Sequence, residues 1–450
     1  MKNDELPTGW AASGIGDLCS LKNGRAFKPV EWKTSGLPIV RIQNLNNPNS
    51  SFNYFLGEPE PRYHLLGGEL LFAWSGTPGT SFGAHVWRGG EAVLNQHIFR
   101  VDFDAQNMDK RFFRYAINQK LDELVGVAHG GVGLRHVTKG TFEATEIKVP
   151  PLAEQNRIAD KLEAVLGRVD ACRARLDRVP ALLKRFRQSV LTAATSGKLT
   201  GAWRGNNSSA TTSEYPMKPL GELVQEPLRN GKSVRDGNGI PVLRLTALRN
   251  GRFDWNETKR GDWTGLDVDR FLTKDGDFLV IRGNGSQHLV GRGGLVIDGP
   301  AQVAFPDTLI RIRPNKAIFS PQFLAMLWNS DGVRQQIESA AKTTTGLWKV
   351  AQGDLEAIAL PFPPLPEQQE IVRRVEALFA FADRIEARLA TAQKTVERLT
   401  PATLAKAFRG ELVPQDPNDE PASALLERIR KEWDFDAKLG RKVLPVGIKH

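Results

Sequence analysis

The feature that most constrains this chain is a long internal repeat. The stretch Pro150-Pro151-Leu152-Ala153-Glu154-Gln155 returns 213 residues later as Pro363-Pro364-Leu365-Pro366-Glu367-Gln368, and the same displacement carries Gly197-Lys198-Leu199 onto Gly410-Glu411-Leu412. Roughly a third of the aligned positions are identical, more than shared helix composition gives, so the segment is a duplication.

Each copy alternates apolar residues at steps of four and three. In the first these are Ile158, Leu162, Val165, Val169, Cys172, Leu176, Val179, Leu183, Phe186 and Val190. In the second they are Ile371, Val375, Leu378, Ala382, Ile385, Leu389, Ala392, Val396 and Leu399. A heptad seam held this long predicts a coiled coil. The packing positions expected are Ile158, Leu162, Val165, Val169, Leu176, Leu183, Ile371, Val375, Leu378, Ile385, Leu389 and Val396. The alternative is two ordinary amphipathic helices on separate cores. Pro-Pro-Leu opens each helix, a glutamate lies in its first turn, and Gly197 or Gly410 closes it. Some forty helical residues make a rod on the order of 60 Å long. Pro180 and Pro401 predict kinks, at different places in the two copies.

The segments before the helices echo one another more faintly. Gly36-Leu37-Pro38-Ile39-Val40-Arg41-Ile42 resembles Gly239-Ile240-Pro241-Val242-Leu243-Arg244-Leu245, and Gly68-Glu69-Leu70-Leu71-Phe72 resembles Gly276-Asp277-Phe278-Leu279-Val280. Short β-branched runs bounded by Gly, Asn and Pro read as strands and turns, and a short helix follows in each half. The expected fold class is α+β: two globular modules separated by two long helices in an antiparallel coiled coil, with pseudo-twofold duplication. The expected boundaries are module one at 1–149, first long helix at 150–200, a polar linker at 201–215, module two at 216–362, second long helix at 363–413, and an acidic, proline-rich break with a last helix at 414–450. The apolar face of that last helix, Leu425, Leu426, Ile429 and Trp433, predicts docking to its own body or to a partner.

Charge and missing motifs narrow the function. Sixty-one lysines and arginines against 51 acids leave a net charge of +10, which favours an acidic partner such as nucleic acid. Residues 150–200 hold ten cations and five anions, whereas the modules are nearly balanced, so a basic footprint on a module must be local. The absence of an apolar run of about 18 residues and of a signal peptide predicts a cytoplasmic, non-membrane protein. Cys19 and Cys172 show no metal-ligand spacing, and no metal site is expected. Val149-Pro150-Pro151-Leu152 and Phe362-Pro363-Pro364-Leu365 lack the amide and aromatic flanks of the adenine-methyltransferase motif. Glu226 stands where a Walker A loop ending in Gly231-Lys232-Ser233 needs glycine. Glu146-Ile147-Lys148 has a nuclease-like spacing without the upstream acidic partner. No catalytic residue is expected.

Contact chemistry is present instead. Arg reads guanine, Asn and Gln read adenine, and lysines, hydroxyls and exposed amides hold phosphate. The first module offers Lys22, Asn23, Arg25, Arg41, Gln43, Asn44, Ser75, Thr77, Thr80, Arg135 and His136 as candidate DNA contacts. The second offers Arg229, Asn230, Lys232, Arg244, Arg282, Asn284, Gln287, Lys342, Thr343, Thr344, Trp348 and Lys349. Their recurrence in glycine-rich loops of two diverged modules is the sign, rather than any one loop.

The two Pro-Pro-Leu-x-Glu-Gln helices, the endings Ser196-Gly197-Lys198-Leu199 and Arg409-Gly410-Glu411-Leu412-Val413, and the start Pro7-Thr8-Gly9-Trp10 followed by Gly16-Asp17-Leu18 resemble one family over nearly the whole chain. It is that of the DNA-specificity subunits of type I restriction-modification systems. The stretch 182–191 is most similar to the branch typified by the enteric K-strain enzyme. The resemblance implies two target-recognition domains, each reading one half of a gapped double-stranded DNA target, with the helix pair as a ruler. It also implies two modification (methyltransferase) subunits carrying S-adenosylmethionine, and restriction subunits using ATP and Mg. No cofactor is then expected on this chain. The rival readings are a stand-alone two-headed DNA-binding protein with a coiled-coil spacer, an enzyme with unrecognised residues, and a protein scaffold.

Overall fold

The computed structural model describes residues 6–47, 50–76, 82–127, 135–207, 215–249, 251–300, 302–344 and 346–438. Two compact units divide the chain, Met1–Ala174 with Gln393–His450, and Arg175–Ala392. Each unit holds one module and portions of both long helices.

In the first unit the module closes on itself: its first strand, Ala11–Gly14, pairs antiparallel with its last, Glu146–Val149. Inside lies an antiparallel sheet ordered Ser20–Asn23, Ile98–Asp102, Leu70–Ala73, Gly83–Val86. The run Leu70-Leu71-Phe72-Ala73 is wholly buried because its two faces feed two cores. Leu70 and Phe72 face the cluster of Ile15, Leu18, Phe112, Phe113 and Phe142, while Leu71 and Ala73 face Val40, Leu65, Trp87 and Leu94. A smaller sheet, Asn53–Phe55, Leu37–Val40, Ala92–Leu94, His64–Leu65, lies beyond the second face, with one parallel pair.

The second unit repeats the plan. Met217–Pro219 pairs with Ala359–Pro361, and the central sheet is ordered Arg229–Asn230, Leu309–Ile312, Phe278–Ile281, Gly293–Leu295. Phe278 and Val280 face one core, Leu279 and Ile281 another. The short helices predicted before each long one are Lys110–Gln119, capped by the Asp109 carboxylate, and Pro321–Trp328, capped by Ser320.

The first long helix runs Leu152–Leu176 and resumes as Val179–Thr195. The break expected at Pro180 falls just before it, which places the proline in the first turn of the resumed helix, where a missing N–H costs little. The second helix is continuous from Leu365 to Ala407 with Pro401 inside it, so this proline, unlike Pro180, does not divide its helix. Pro401 and Glu397, whose carbonyl the proline cannot serve, are both exposed, on a turn of the helix that faces solvent. All twelve expected packing positions are buried or half-buried. Cys172 and Leu399, on the same seam, are exposed.

Within each unit the helices run antiparallel. Ile158 and Leu162 share a core with Ala407 and Phe408 in the first unit. Arg187 meets Asp383 and Glu386, and Arg374 donates to the Leu199 carbonyl, in the second. Gly197 and Gly410 end the helices in the left-handed region, at φ 76 and 72. Within the expected linker, Gly201–Asn207 is helical and 208–214 lie outside the described residues. The last helix, Ala422–Lys438, buries Ala422, Leu425, Leu426 and Ile429 in the first unit's core, so its apolar face docks on its own body. No described helix is long and apolar enough to cross a membrane.

Candidate nucleic-acid interface

The repeated Glu-Gln pair joins each module to its long helix. Gln155 is fully buried; its Oε1 accepts from the Asp109 amide at 2.9 Å and its Nε2 donates to the Pro150 carbonyl at 3.0 Å. Gln368 repeats this, accepting from the Ser320 amide at 2.8 Å and donating to the Ile318 and Pro363 carbonyls at 3.0 and 2.9 Å. Asp109 and Ser320 are the N-caps of the two short helices, so one side chain locks the start of a long helix to the start of a short one. The glutamates take a different partner from the start of each module. Trp10 Nε1 donates to Glu154 at 3.1 Å, and Tyr215 OH donates to Glu367 at 2.7 Å. Thr200 and Arg204 also serve Glu367, at 2.6 and 3.0 Å. Burial raises the Glu154 carboxyl above its ordinary value against the pull of Trp10 and Arg157, and burial pushes the Tyr215 phenol up to about 12. None of these anchors stands among the expected site residues, although the repeat itself marks the glutamine and glutamate.

Of the expected contacts in the first module, Lys22 is bridged to Asp102 at 2.7 Å. Arg25 pairs with Glu31 and lies over Phe27 and Phe55. Arg41 lies over Trp32. Asn44 is buried and spends its amide on Arg41, Ser50 and Ser51 backbone groups, which shapes a loop; Gln43 beside it is exposed. These residues belong to the neighbourhood of the smaller sheet, apart from Lys22. A second group is brought together where a short ribbon, Ser75–Gly76 against Arg135–His136, crosses the end of the central sheet. Trp74 sits at its root, donating to Asn23 Oδ1 at 3.3 Å, with the rings of His97, Phe99 and His136 at 5.3, 5.7 and 6.0 Å. Burial first, and then the neighbouring His136, lowers the His97 imidazole below its ordinary value, which favours its neutral form. Trp74 opens the expected contact loop at 74–80, whereas His97 lies outside every expected loop. Thr77 and Thr80 lie outside the described residues, as does the side chain of Arg135.

The second module gathers more of its candidates. Gly283–Asn284, Leu347–Lys349 and Lys342–Thr344 form a three-stranded ribbon carrying Asn284, Lys342, Thr343, Thr344, Trp348 and Lys349, with Arg282 at its root. Lys342, Thr343 and Lys349 are exposed, and Trp348 is half-buried against the core. Asn284 Oδ1 accepts from the Ser286 amide, and Gln287 donates to the Glu338 carbonyl. Arg229 and Asn230 form the sheet-edge strand, and buried atoms of both, Nε and Oδ1, have no partner among the described residues. Lys232 is exposed just beyond them, and Arg244 donates to the Thr258 carbonyl. Among the described residues no group of three or more His, Cys, Asp or Glu is placed to hold a metal ion.

The arrangement can bind and position a polyanion through the exposed Lys232, Lys342 and Lys349. Known proteins match it throughout. The model of the type I restriction modification DNA specificity domain matches residues 7–180 and 213–393. The chain is 31% identical to the EcoKI specificity subunit of Escherichia coli (strain K12), over 96% of this chain and 97% of that one. It is 32% identical to the EcoBI specificity subunit of Escherichia coli, over 94% and 92%. The crystal structure of an HsdS subunit from Thermoanaerobacter tengcongensis, 18% identical, shares the fold with a TM-score of 0.60 over 91% of this chain and 98% of that one.

Proposed function

The chain belongs to the family of type I restriction-modification DNA-specificity proteins, and from that premise we propose that it selects the site at which a type I complex acts, each module reading one half of a gapped duplex target. It is a recognition subunit and not a catalyst. The observation that carries the two-part reading is the repeated clamp: two modules of one plan, each fixed by an equivalent buried glutamine to the start of a long helix. A rigid helical element between two readers specifies the distance between half-sites as well as their sequences.

The recognition domains in this reading are residues 1–149 and 216–362, with 150–200 and 363–413 as spacers. The ribbon residues Ser75, Arg135 and His136, and Asn284, Lys342, Thr343, Trp348 and Lys349, together with Arg282 at the ribbon root and the sheet-edge Asn23 and Asn230, carry most of the recognition. Arg25 and Asn44 are occupied by their own modules. Two modification subunits supply S-adenosylmethionine chemistry, restriction subunits supply ATP- and Mg-dependent cleavage, and the assembly works on cytoplasmic DNA. Mapping methylated adenines across the genome of cells expressing the modification subunit, with and without this chain, tests the proposal. A two-part gapped motif that appears only with the chain is expected. Methylation indifferent to the chain overturns it.

A further inference from the structure

The two modules place different residues at one equivalent position. Ala73 pairs with Ile98 as Ile281 pairs with Leu309. The next residue, Trp74 or Arg282, donates its amide to the carbonyl of His97 or Thr308, at 3.3 and 2.9 Å. Its own carbonyl accepts from Val137 or Val350, at 3.0 and 2.9 Å. Ribbon pairing then begins in both, Ser75 against His136 and Gly283 against Lys349. At the sheet edge, Asn23 lies opposite Phe99 as Asn230 lies opposite Ile310. Trp74 and Arg282 are therefore counterparts, as are Asn23 and Asn230.

Their chemistry differs. In the first module the position is filled: the indole donates to Asn23 and is enclosed by three rings. In the second, the counterparts of His97, Phe99 and His136 are Thr308, Ile310 and Lys349, so none of these three positions offers Arg282 a ring. The half-buried guanidinium of Arg282 has no partner among the described residues, the Asn230 Oδ1 atom is buried without one, and the ribbon adds Lys342 and Lys349 rather than a carboxylate. A half-buried cation with more cations beside it calls for an external acceptor. Both backbone groups of Arg282 are bonded, which fixes the root from which its side chain extends. The exposed lysines suit phosphate, whereas a planar fork held at the ribbon root suits the O6 and N7 of a guanine.

Resting on the recognition reading above, we propose that Arg282 reads a guanine in the half-site of the second module, and that Trp74, in the same place, denies the first module that contact. The two half-sites thus differ at the corresponding base pair.

The test uses the complete complex of this chain with its modification subunit, carrying Arg282→Gln or Arg282→Lys, and a panel of duplexes with each base pair of the mapped target replaced in turn. Wild type is expected to discriminate about 10- to 100-fold at one G·C pair of one half-site. Both variants lose that discrimination while the other half-site and the gap are read as before, which also shows that they fold. Lysine keeps the charge without the bidentate fork, so it binds the mapped target only as well as wild type binds the duplex replaced at that G·C pair, with an unchanged salt dependence. The proposal is overturned if Arg282→Gln binds every duplex more weakly by one factor, with the slope of log K against log salt falling by about one, while Arg282→Lys behaves as wild type, the mark of a phosphate contact. An unchanged preference at every position overturns it as well. A wild-type complex with no sequence preference removes the recognition reading and this assignment together.

Discussion

Replacing Gln368 by leucine keeps the volume of a fully buried side chain and removes three hydrogen bonds at once. The Ser320 amide and the Pro363 carbonyl are left buried without a partner, and the part-buried Ile318 carbonyl loses its donor. An unsatisfied buried group costs about 1–3 kcal/mol, and neighbouring losses add incompletely, so Gln368→Leu should destabilise the second unit by about 3–5 kcal/mol. Gln155→Leu strips two bonds and should cost the first unit about 2–4 kcal/mol. Two units need not unfold together, so amide hydrogen exchange, read separately for Lys110–Gln119 and Pro321–Trp328, is the appropriate assay. Protection should fall in the helix next to the substituted glutamine and hold in the other. Gln368→Glu sharpens the test, because an ionised carboxylate still accepts from Ser320 but faces two carbonyls it cannot donate to. A cost below about 1 kcal/mol for Gln368→Leu, or an equal loss of protection in both units, would refute the clamp.

Glu154 supplies a pH-dependent counterpart: its carboxyl is raised by burial, so the folded state disfavours the ion, and the resulting cost at neutral pH fades as pH falls through the raised value towards the ordinary 4.5. Glu154→Gln should therefore be neutral or stabilising at pH 7 and lose any advantage below that value, measured by denaturant midpoints across pH; destabilisation at pH 7 would count against the argument. Gly410→Ala places a Cβ 2.8 Å from Pro7 at a φ of 72, and should cost about 1–2 kcal/mol from the backbone alone, with part of any excess returned by Pro7→Ala. Adding one heptad to each long helix, between Val165 and Val169 and between Leu389 and Val396, adds about 10 Å at 1.5 Å per residue, or about three base pairs of gap. Methylation mapping that returned the original gap would remove the ruler.

The heptad seam, the helix stops and the doubly buried strands were legible because they depend on short-range periodicity and on one rigid displacement. The frame that holds Trp74 and Arg282 was not, because its counterparts drift. Trp10 and Tyr215 are 205 residues apart, Trp74 and Arg282 are 208, and Val137 and Val350 are 213, as loops of unequal length accumulate between strands. Only pairing register brings them into line. Asn44 and Arg25 have the residue types of DNA contacts and are used by their own module, a distinction set by tertiary neighbours. Pro401 carries a breaker's signal in an exposed turn where the helix tolerates it. The last helix showed an apolar face in the sequence, but its docking partner became visible only with the core that contains Phe112 and Phe408.

The most direct measurement exchanges residues 216–362 for the corresponding module of a relative with a different target and maps methylated adenines in cells carrying the hybrid with its modification subunit. A new target is expected in which one half-site is replaced while the other half-site and the gap persist. Replacement of both half-sites, or a shifted gap with both half-sites kept, would contradict it.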